Sequence, residues 1–225
     1  MNNEQTIIES CKEEPSLIFN IIKQGDFELV RELIDNNCVN VNLVDCVGND
    51  VVTRLLKAKQ YELVLELMKK RNWNVNHQNN DGNTFGHILA YDDTAMALKV
   101  AEQLTKKKNY IPNIKNKNGE TAFDRALNNN HLCTTFKILE DKRFNALDVL
   151  SFKNLFNASI KSTYYGSYSK LNNLEIIVEN LEKKELSDSM QGLLESICDN
   201  IDAIKYDIKN NRSNVLESII NSHLA

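Results

Sequence analysis

Apolar residues in the first two thirds of the chain recur in pairs at spacings of three and four residues, with short polar segments between them. Such spacing places the apolar side chains on one face of a helix, and each segment is long enough for two short amphipathic helices. The stretch "SLIFNIIKQGDFELVRELI" from Ser16 aligns with "DVVTRLLKAKQYELVLELM" from Asp50. The matched apolar pairs are Ile21-Ile22 with Leu55-Leu56, Leu29-Val30 with Leu63-Val64, and Leu33-Ile34 with Leu67-Met68.

Polar residues between these helices repeat with the same spacing. Two columns step by 34 and then 37 residues along the chain: Asn42, Asn76 and Asn113, and Gly48, Gly82 and Gly119. A period of about 33 residues with one short insertion is typical of helix-turn-helix units that stack into a solenoid. The extra residues fall around "YDDTAM", residues 91–96. The pattern therefore predicts about four stacked units.

The best-defined unit carries Gly82, Thr84 and His87 in the stretch "DGNTFGH". This stretch resembles the ankyrin repeat family, whose units read Asp-x-x-Gly-x-Thr-Pro-Leu-His, then two helices, then a hydrophobic residue and Asn. The resemblance covers roughly residues 13–143. It departs from the family pattern in lacking Pro after the Thr position, in placing Gly86 where Leu is usual, and in keeping an inter-helix glycine only at Gly25. The resemblance implies an all-α ankyrin-repeat solenoid of helix-turn-helix units with short β-turn junctions.

The junctions and helix starts have matching chemistry. The segments "VGN", "NDG" and "KNG" supply residues that tolerate a positive φ, which a protruding tight turn requires. Side-chain oxygens that can cap a first helix stand in one column: Ser16, Asp50, Thr84 and Thr121. His87 lies one helical turn after Thr84. The resemblance implies that this histidine forms a structural hydrogen bond within the turn network.

Residues 76–90, "NHQNNDGNTFGHILA", also allow a metal or phosphate loop, because Asn, Asp, Gly and His occur together. A calcium loop centred on Gly82 as its sixth position would need an acidic first residue and a Glu at the twelfth. His77 and Ile88 occupy those two positions. We therefore expect a repeat junction, with no metal and no cofactor.

The predicted organisation has two parts. Residues 1–143 hold about four ankyrin units and a short N-terminal capping helix, and residues 144–225 are either degenerate repeats or helices that cap the stack. The polar, Tyr-bearing segment 162–173 is predicted to be a loop at the boundary. Residues 172–181, "NNLEIIVENL", match "GDFELVRELI" from Gly25, which favours a decayed fifth unit. A further half-unit is predicted from Asn214.

The segment 190–208 has apolar residues at alternating steps of four and three: Met190, Leu194, Ile197, Ile201, Ile204 and Ile208. This narrow stripe on one helix face allows two interpretations. It either pairs with a second copy as a coiled coil, or packs onto the last repeat and covers the open end of the solenoid. We expect a monomer, with a homodimer through 190–208 as the alternative.

Composition limits the function classes. The net charge of −4 and a pI near 5.7 argue against nucleic acid as the partner, and the basic run Lys106 to Lys108 is predicted to be a solvated helix end. Five cysteines without a CxxC pair, and no apolar leader after the first residues, predict reduced thiols in a cytoplasmic or nuclear protein that is not secreted. No apolar run reaches the length needed to cross a membrane.

No GxSxG, HExxH or phosphate-loop motif is present, and the four histidines lie in different units without metal spacing. We therefore expect a non-catalytic adaptor that binds another protein on the concave and turn surface of the solenoid. Two alternatives are a regulatory or assembly subunit that oligomerises through its C-terminal helices, and a host-directed viral or microbial factor, suggested by richness in Asn, Lys and Ile. The resemblance implies partner contacts at Cys46, Val47, Asn49, Lys57, Asn80, Asp81, Asn83, Tyr91, Asp92, Lys117, Asn118, Glu120, Asn128 and Asn129.

Overall fold

The computed structural model describes residues 9–129, 131–145, 151, 154–156, 170–210 and 212–223. Residues 9–13 are helical, whereas the remainder of the predicted N-terminal cap, and most of the predicted loop 162–173, lie outside the described residues. The named helices are α1 Leu17–Gln24, α2 Phe27–Asp35, α3 Val51–Lys57, α4 Tyr61–Leu67, α5 Phe85–Leu89, α6 Ala95–Thr105, α7 Ala122–Asn128, α8 Leu132–Leu139, α9 Lys170–Leu181, α10 Asp188–Asp199, α11 Ile201–Lys209 and α12 Asn214–His223.

The helices form consecutive antiparallel pairs, which we number as units one to four: α1 with α2, α3 with α4, α5 with α6, and α7 with α8. The first helices stack in the order α1, α3, α5, α7, and the second helices continue the stack through α4, α6 and α8. The described residues contain no strand, only an isolated bridge between Val44 and Asp50 at the base of a turn. The predicted all-α solenoid of helix-turn-helix units is confirmed.

Two of the predicted first-helix caps form as expected from their side chains. Asp50 accepts a hydrogen bond of 2.7 Å from the backbone N–H three residues on, and Thr121 accepts one of 3.2 Å from the N–H of Asp124. Ser16 does not cap α1, and this prediction is wrong. Its backbone is helical, at φ −64° and ψ −20°, and its hydroxyl donates to the Glu14 carboxylate instead.

The link between the two helices contains a left-handed residue in units one and two. Gly25 fills this position in unit one with φ 81°. Lys59 occupies the equivalent position in unit two and has φ 58°, a conformation that costs a residue with a Cβ about 1 kcal/mol or more. Unit two thus adopts the left-handed turn of unit one without a glycine.

The insertion in unit three lengthens the second helix. The helix α6 has 11 residues, whereas α4 has 7. Thr94 begins this longer helix by accepting a 3.2 Å hydrogen bond from the N–H of Ala97. The glycine and asparagine columns on either side keep their structural roles, so the extra residues are absorbed without disturbing the stack.

The core consists of the predicted apolar rows. Leu33 and Leu67 are 1% and 0% exposed, and Phe123 and Phe144 pack ring against ring with centroids 4.7 Å apart. One hydrophobic cluster runs through units one to three and a second runs from unit four into the C-terminal helices. Because each unit buries its rows only against its neighbours, stability is shared along the stack.

The C-terminal helices continue from the stack. The helix α9 packs on α8 with Leu174, Ile177 and Leu181 fully buried, as a second helix of a fifth unit would. Whether 144–225 is a degenerate repeat segment or a separate cap stays a prediction. The helix predicted from Asn214 is present as α12.

The apolar stripe of 190–208 does not lie on one continuous helix. Asn200, with φ −107°, separates α10 from α11. Met190, Leu194 and Ile197 are buried on α10 and Ile204 and Ile208 on α11, and these helices pack against α9 and α12 of the same chain. The stripe is therefore already covered. Only the half-buried Ile201 is left for the alternative of coiled-coil pairing, and the oligomeric state stays a prediction.

Candidate partner-binding surface

Each junction between units forms a tight turn that a single side chain organises. In the turn before α3, Oδ1 of Asp45 accepts from the N–H groups of Val47 and Asn49 at 3.0 and 2.9 Å. Gly48 closes the turn by donating its N–H to the Asp45 carbonyl at 2.9 Å. In the next two turns, the Oδ1 atoms of Asn79 and Asn116 each accept the corresponding two hydrogen bonds from backbone N–H groups. We call these three turns, residues 45–50, 79–84 and 116–121, the tips.

Backbone hydrogen bonds join each tip to the next. The N–H of Asn80 donates to the Val47 carbonyl at 3.1 Å, and the N–H of Lys117 donates to the Asp81 carbonyl at 3.0 Å. The side chain of Asn80 adds a 3.1 Å bond to the carbonyl of Cys46. The tips are thus fixed to one another as a row.

A second ladder of side-chain amides lies beneath the tips. Asn79 donates to the Oδ1 of Asn49 at 2.9 Å, and Asn116 donates to the Oδ1 of Asn83 at 2.9 Å. Asn49 and Asn83 are only 0% and 9% exposed. These two residues were predicted to contact a partner, but their burial assigns them to the internal ladder.

The close approach of the tips explains their glycines. Gly82 has φ 76°, and a Cβ on it would stand 2.9 Å from the backbone nitrogen of Lys117 in the next tip. Gly119 has φ 78° but nothing within 4 Å of its Cβ position among the described residues. The glycine column therefore serves both conformation and packing at Gly82, and conformation alone at Gly119.

Each residue of the asparagine column forms hydrogen bonds with the loop that follows the second helix of the next unit. The Nδ2 of Asn42 donates to the Asn72 carbonyl at 2.7 Å, and its Oδ1 accepts from the N–H of Asn74 at 2.8 Å. Asn76 and Asn113 repeat this two-bond contact one and two units later. A carboxylate could not supply the donor, so the amide is required.

His87 links units three and four from a buried position. Its Nε2 lies 2.8 Å from the carbonyl of Glu120, which can only accept, so the proton resides on Nε2. Its Nδ1 then accepts from the N–H of Thr84 at 3.1 Å. Burial lowers the pKa of His87, which keeps the ring neutral. The structural role expected for this histidine is confirmed by its contacts.

The exposed end of the first helices holds a charged and aromatic cluster. Arg125 donates to the Glu120 carboxylate at 2.9 Å and to the Oδ1 of Asn83 at 3.1 Å, and its guanidinium lies 5.1 Å from the ring centre of Tyr91. Burial opposes ionisation of Glu120, but hydrogen bonds from Asn116 and Arg125 outweigh it and lower the pKa of this carboxyl. The cluster holds a half-exposed aromatic ring beside a fixed cation.

The remaining predicted contact residues differ in exposure. Asp92 and Glu120 are half-buried, and Asp92 accepts a hydrogen bond from the Tyr61 hydroxyl, which leaves little of it for a partner. The residues that are exposed are Cys46, Val47, Lys57, Asn80, Asp81, Tyr91, Lys117, Asn118, Asn128 and Asn129. We call this set the tip face. Its role in binding stays a prediction.

Sequence reasoning missed Arg125, which orients Tyr91 and Glu120. A signal was available, because Arg54 occupies the same column in unit two, and its Nε lies 3.2 Å from the carboxylate of Asp45 in its own tip. An arginine at this position ties the first helix to its own tip. The partners of Arg125 could not be read from the sequence, because Asn83 and Tyr91 come near it only in the folded chain.

Catalytic chemistry gains no support from the groups near His131. Its Nδ1 lies 2.9 Å from the Ala90 carbonyl. Burial raises the pKa of the nearby Cys133 thiol, and the neighbouring Asp93 raises it further, so this thiol is a poor nucleophile at neutral pH. Within the described ranges, no three or more His, Cys, Asp or Glu residues are grouped in a way that could hold a metal ion. Every helix in the described part of the chain is too short or too polar to span a bilayer.

Comparison with known proteins supports the fold through structure and not through sequence. Neither the family models nor the curated proteins give a match. Among solved structures, the crystal structure of EF0377, an ankyrin repeat protein, matches with a TM-score of 0.54 at 18% identity, covering 77% of this chain and 83% of that one. Together with the stacked helix pairs and fastened tips, this match establishes that the chain folds as an ankyrin-repeat solenoid.

Proposed function

We propose that this chain is a non-catalytic adaptor that binds a partner protein on its tip face, the concave and turn side of the solenoid. Ankyrin solenoids present such a face as an extended row of side chains. The proposal includes a cytoplasmic or nuclear location and a monomeric state. Recognition combines an apolar and aromatic contact with hydrogen bonds from amides and short polar side chains.

The observation that carries the proposal is the exposure of two large apolar side chains on an otherwise rigid polar face. Val47 and Tyr91 are 47% and 56% exposed, although the tips around them are held by backbone and amide bonds. Tyrosine is enriched among residues that dominate interface energies, since it offers apolar area and a hydroxyl at low entropic cost. A preorganised face also lowers the entropic cost of binding.

The experiment is an affinity capture with quantitative mass spectrometry that compares three forms of the chain. Tyr91→Ser removes the exposed ring from the tip face. Tyr206→Ser is the matched control, because Tyr206 is 64% exposed on α11, outside the tip face. We expect a protein that wild type and Tyr206→Ser enrich equally, and that Tyr91→Ser loses.

Direct titration of the captured protein completes the test. Loss of a central tyrosine contact is expected to weaken affinity by about tenfold or more, the range of a contact worth at least 1.4 kcal/mol. The proposal fails if the three forms enrich the same proteins in the same amounts. It fails equally if Tyr206→Ser is the variant that loses the partner.

A further inference from the structure

A second surface repeats along the stack on the side of the second helices. Basic residues follow the end of the second helix in units two, three and four, in the segments "KKR" (69–71), "KKK" (106–108) and "KR" (142–143). The helix α6 ends at Thr105 with Lys106 as its C-cap, which confirms the helix end predicted for this run. The positions recur unit by unit, so stacking aligns them into a ridge.

Some of these cations have structural partners. Arg143 donates to the carbonyls of Thr105 and Lys107, both at 2.6 Å, and its carboxylate partner is Asp141 at 2.6 Å. Lys70 donates to the Oδ1 of Asn37 at 2.9 Å. These residues satisfy the open carbonyls and loops at helix ends, as basic residues often do.

Other members of the ridge have no such role. We define the lysine ridge as the exposed cations Lys69, Arg71, Lys106, Lys108 and Lys142. Over the described residues, none of the five forms a salt bridge. Their charges are therefore available to an external anion, on a chain whose overall charge is −4.

Neighbouring members of the ridge meet around shallow depressions. Lys106, Lys108 and Lys142 line a depression of about 730 Å³ between units three and four. A smaller one of about 370 Å³, between units two and three, is lined by Lys69 and Lys107 without any carboxylate. Three members of the ridge thus line the larger depression, and Lys69 lines the smaller one beside Lys107, which is not a member of the ridge.

We propose that the lysine ridge binds an extended acidic segment of a partner protein. Packed helices lie about 8–10 Å apart, so the cations of successive units recur at that interval. An extended chain advances about 3.3 Å per residue, so Glu or Asp at every third position would meet one unit each. The inference names a partner class for the proposed adaptor but uses a different surface from the tip face.

The carboxylates within the ridge favour a peptide over nucleic acid. Glu102, Glu140 and Asp141 line the larger depression together with the lysines, and Lys137 is already paired with Glu140 at 2.7 Å. A duplex carries one charge per about 1.7 Å and would be repelled by these carboxylates. A peptide with spaced acidic residues avoids them and can donate hydrogen bonds to them.

The test measures fluorescence anisotropy with a labelled peptide of about 15 residues, which spans roughly 50 Å when extended and carries Glu at every third position between Gly and Ser. The ridge variant combines Lys106→Gln, Lys108→Gln and Lys142→Gln. The control variant removes the same charge from exposed sites outside both the ridge and the tip face, with Lys23→Gln, Lys115→Gln and Lys209→Gln.

We expect the ridge variant to bind about tenfold more weakly, the size of losing three exposed ion pairs, and the control to bind like wild type. Binding should also weaken as ionic strength rises from about 0.1 to 1 M and the Debye length falls from about 10 to 3 Å. Equal affinity of wild type and ridge variant overturns the proposal. So does tighter binding of a duplex DNA of the same charge, or of anionic vesicles.

The Tyr91→Ser variant separates this inference from the proposed function. The ridge proposal requires that Tyr91→Ser bind the acidic peptide normally. If Tyr91→Ser loses the peptide while the ridge variant and the control keep it, the acidic segment belongs to the tip face and the ridge proposal is wrong. Failure of the tip-face capture leaves the peptide titration unaffected.

Discussion

The hydroxyl of Tyr110 lies 3.0 Å from the point at which a Cβ on Gly86 would stand. Tyr110 is 2% exposed, and its hydroxyl has no hydrogen-bond partner within the described residues. Unit three thus departs from the family pattern at Gly86 because the space above this helix is filled by a ring from the following loop.

This relationship predicts that the effect of Gly86→Ala on stability differs between the wild-type chain and the Tyr110→Phe variant. Gly86→Ala alone should destabilise, since a Cβ would also stand 3.3 Å from the Cβ of Ala122 and the neighbours would have to shift. Tyr110→Phe should stabilise by about 1 kcal/mol, because it removes a buried hydroxyl without a partner. With the hydroxyl gone, Gly86→Ala should become neutral or favourable through helix propensity, worth about 1 kcal/mol. Urea denaturation of the four forms measures the coupling, and strict additivity would contradict the contact.

The tip glycines give a second prediction with an internal control. Gly82→Ala and Gly119→Ala both place a Cβ on a left-handed residue, which costs roughly 1–2 kcal/mol. Only Gly82 also faces the backbone of the next tip, at 2.9 Å from the Lys117 nitrogen, so its substitution should cost at least about 1 kcal/mol more. The larger Gly82→Val should be worse again. Equal melting temperatures for the two alanine variants would contradict the close approach between Gly82 and the backbone of the next tip.

Core rows of the second helices give a third prediction. Leu33→Ala and Leu67→Ala should each cost about 2–5 kcal/mol, since both side chains are almost fully buried and leave a cavity. Ile111→Ala is the control, because Ile111 is 51% exposed and its truncation should change stability by less than about 0.5 kcal/mol. Chemical denaturation measures all three. Leucine losses well below 1 kcal/mol would mean that these rows are not packed.

Acid should weaken the stack through His87. The pKa of His87 is lowered by burial from its ordinary value of 6.5, so the folded chain holds the ring neutral. Above pH 6.5 both states are neutral and stability is unaffected. As the pH falls through 6.5 the unfolded chain gains a proton first, and stability drops until the folded pKa is reached.

The measurement is the free energy of unfolding between pH 7.5 and 5, compared with His87→Gln, which should lose part of this dependence. His223→Gln is the control, because His223 is exposed near the end of α12. This variant keeps His87 and should therefore keep the loss of stability in acid that His87 causes. A His87→Gln profile identical to wild type would show that another group is responsible.

Lys59 offers a stabilising change. Because its φ is 58°, Lys59→Gly should raise stability by about 0.5–1 kcal/mol by relieving the left-handed backbone. The lost contact with Asp92, at 3.8 Å from a lysine side chain that is 70% exposed, is worth little. Lys59→Ala removes the same ammonium but keeps a Cβ, and should not stabilise. Thermal melts measure the stability of both variants. Equal gains in stability would mean that loss of the Lys59 charge, and not relief of the left-handed backbone, is responsible.

The repeat columns were predictable because each asparagine and glycine serves a local geometry that recurs. The internal position of Asn49 and Asn83 could not be predicted from the sequence, because these residues become buried only when the next tip stacks on them. Ser16 failed as a cap because its own backbone is helical, which residue type does not reveal.

The expectation that the C-terminal stripe lies on one helix is wrong for a related reason. Its spacing of four and three residues continues across Asn200, so periodicity could not show where α10 ends and α11 begins. The lysine ridge was hidden because it is formed by residues more than thirty positions apart. Only the stacked units place Lys106 and Lys142 around one depression.

The insertion of unit three has a mechanical consequence. Asp92 accepts from the Tyr61 hydroxyl of unit two, while Asp93 accepts from the N–H of Thr134 in unit four at 3.2 Å. Two adjacent residues thus clamp both neighbours of their own unit. A displacement of unit three relative to either neighbour would therefore stretch one of these two hydrogen bonds.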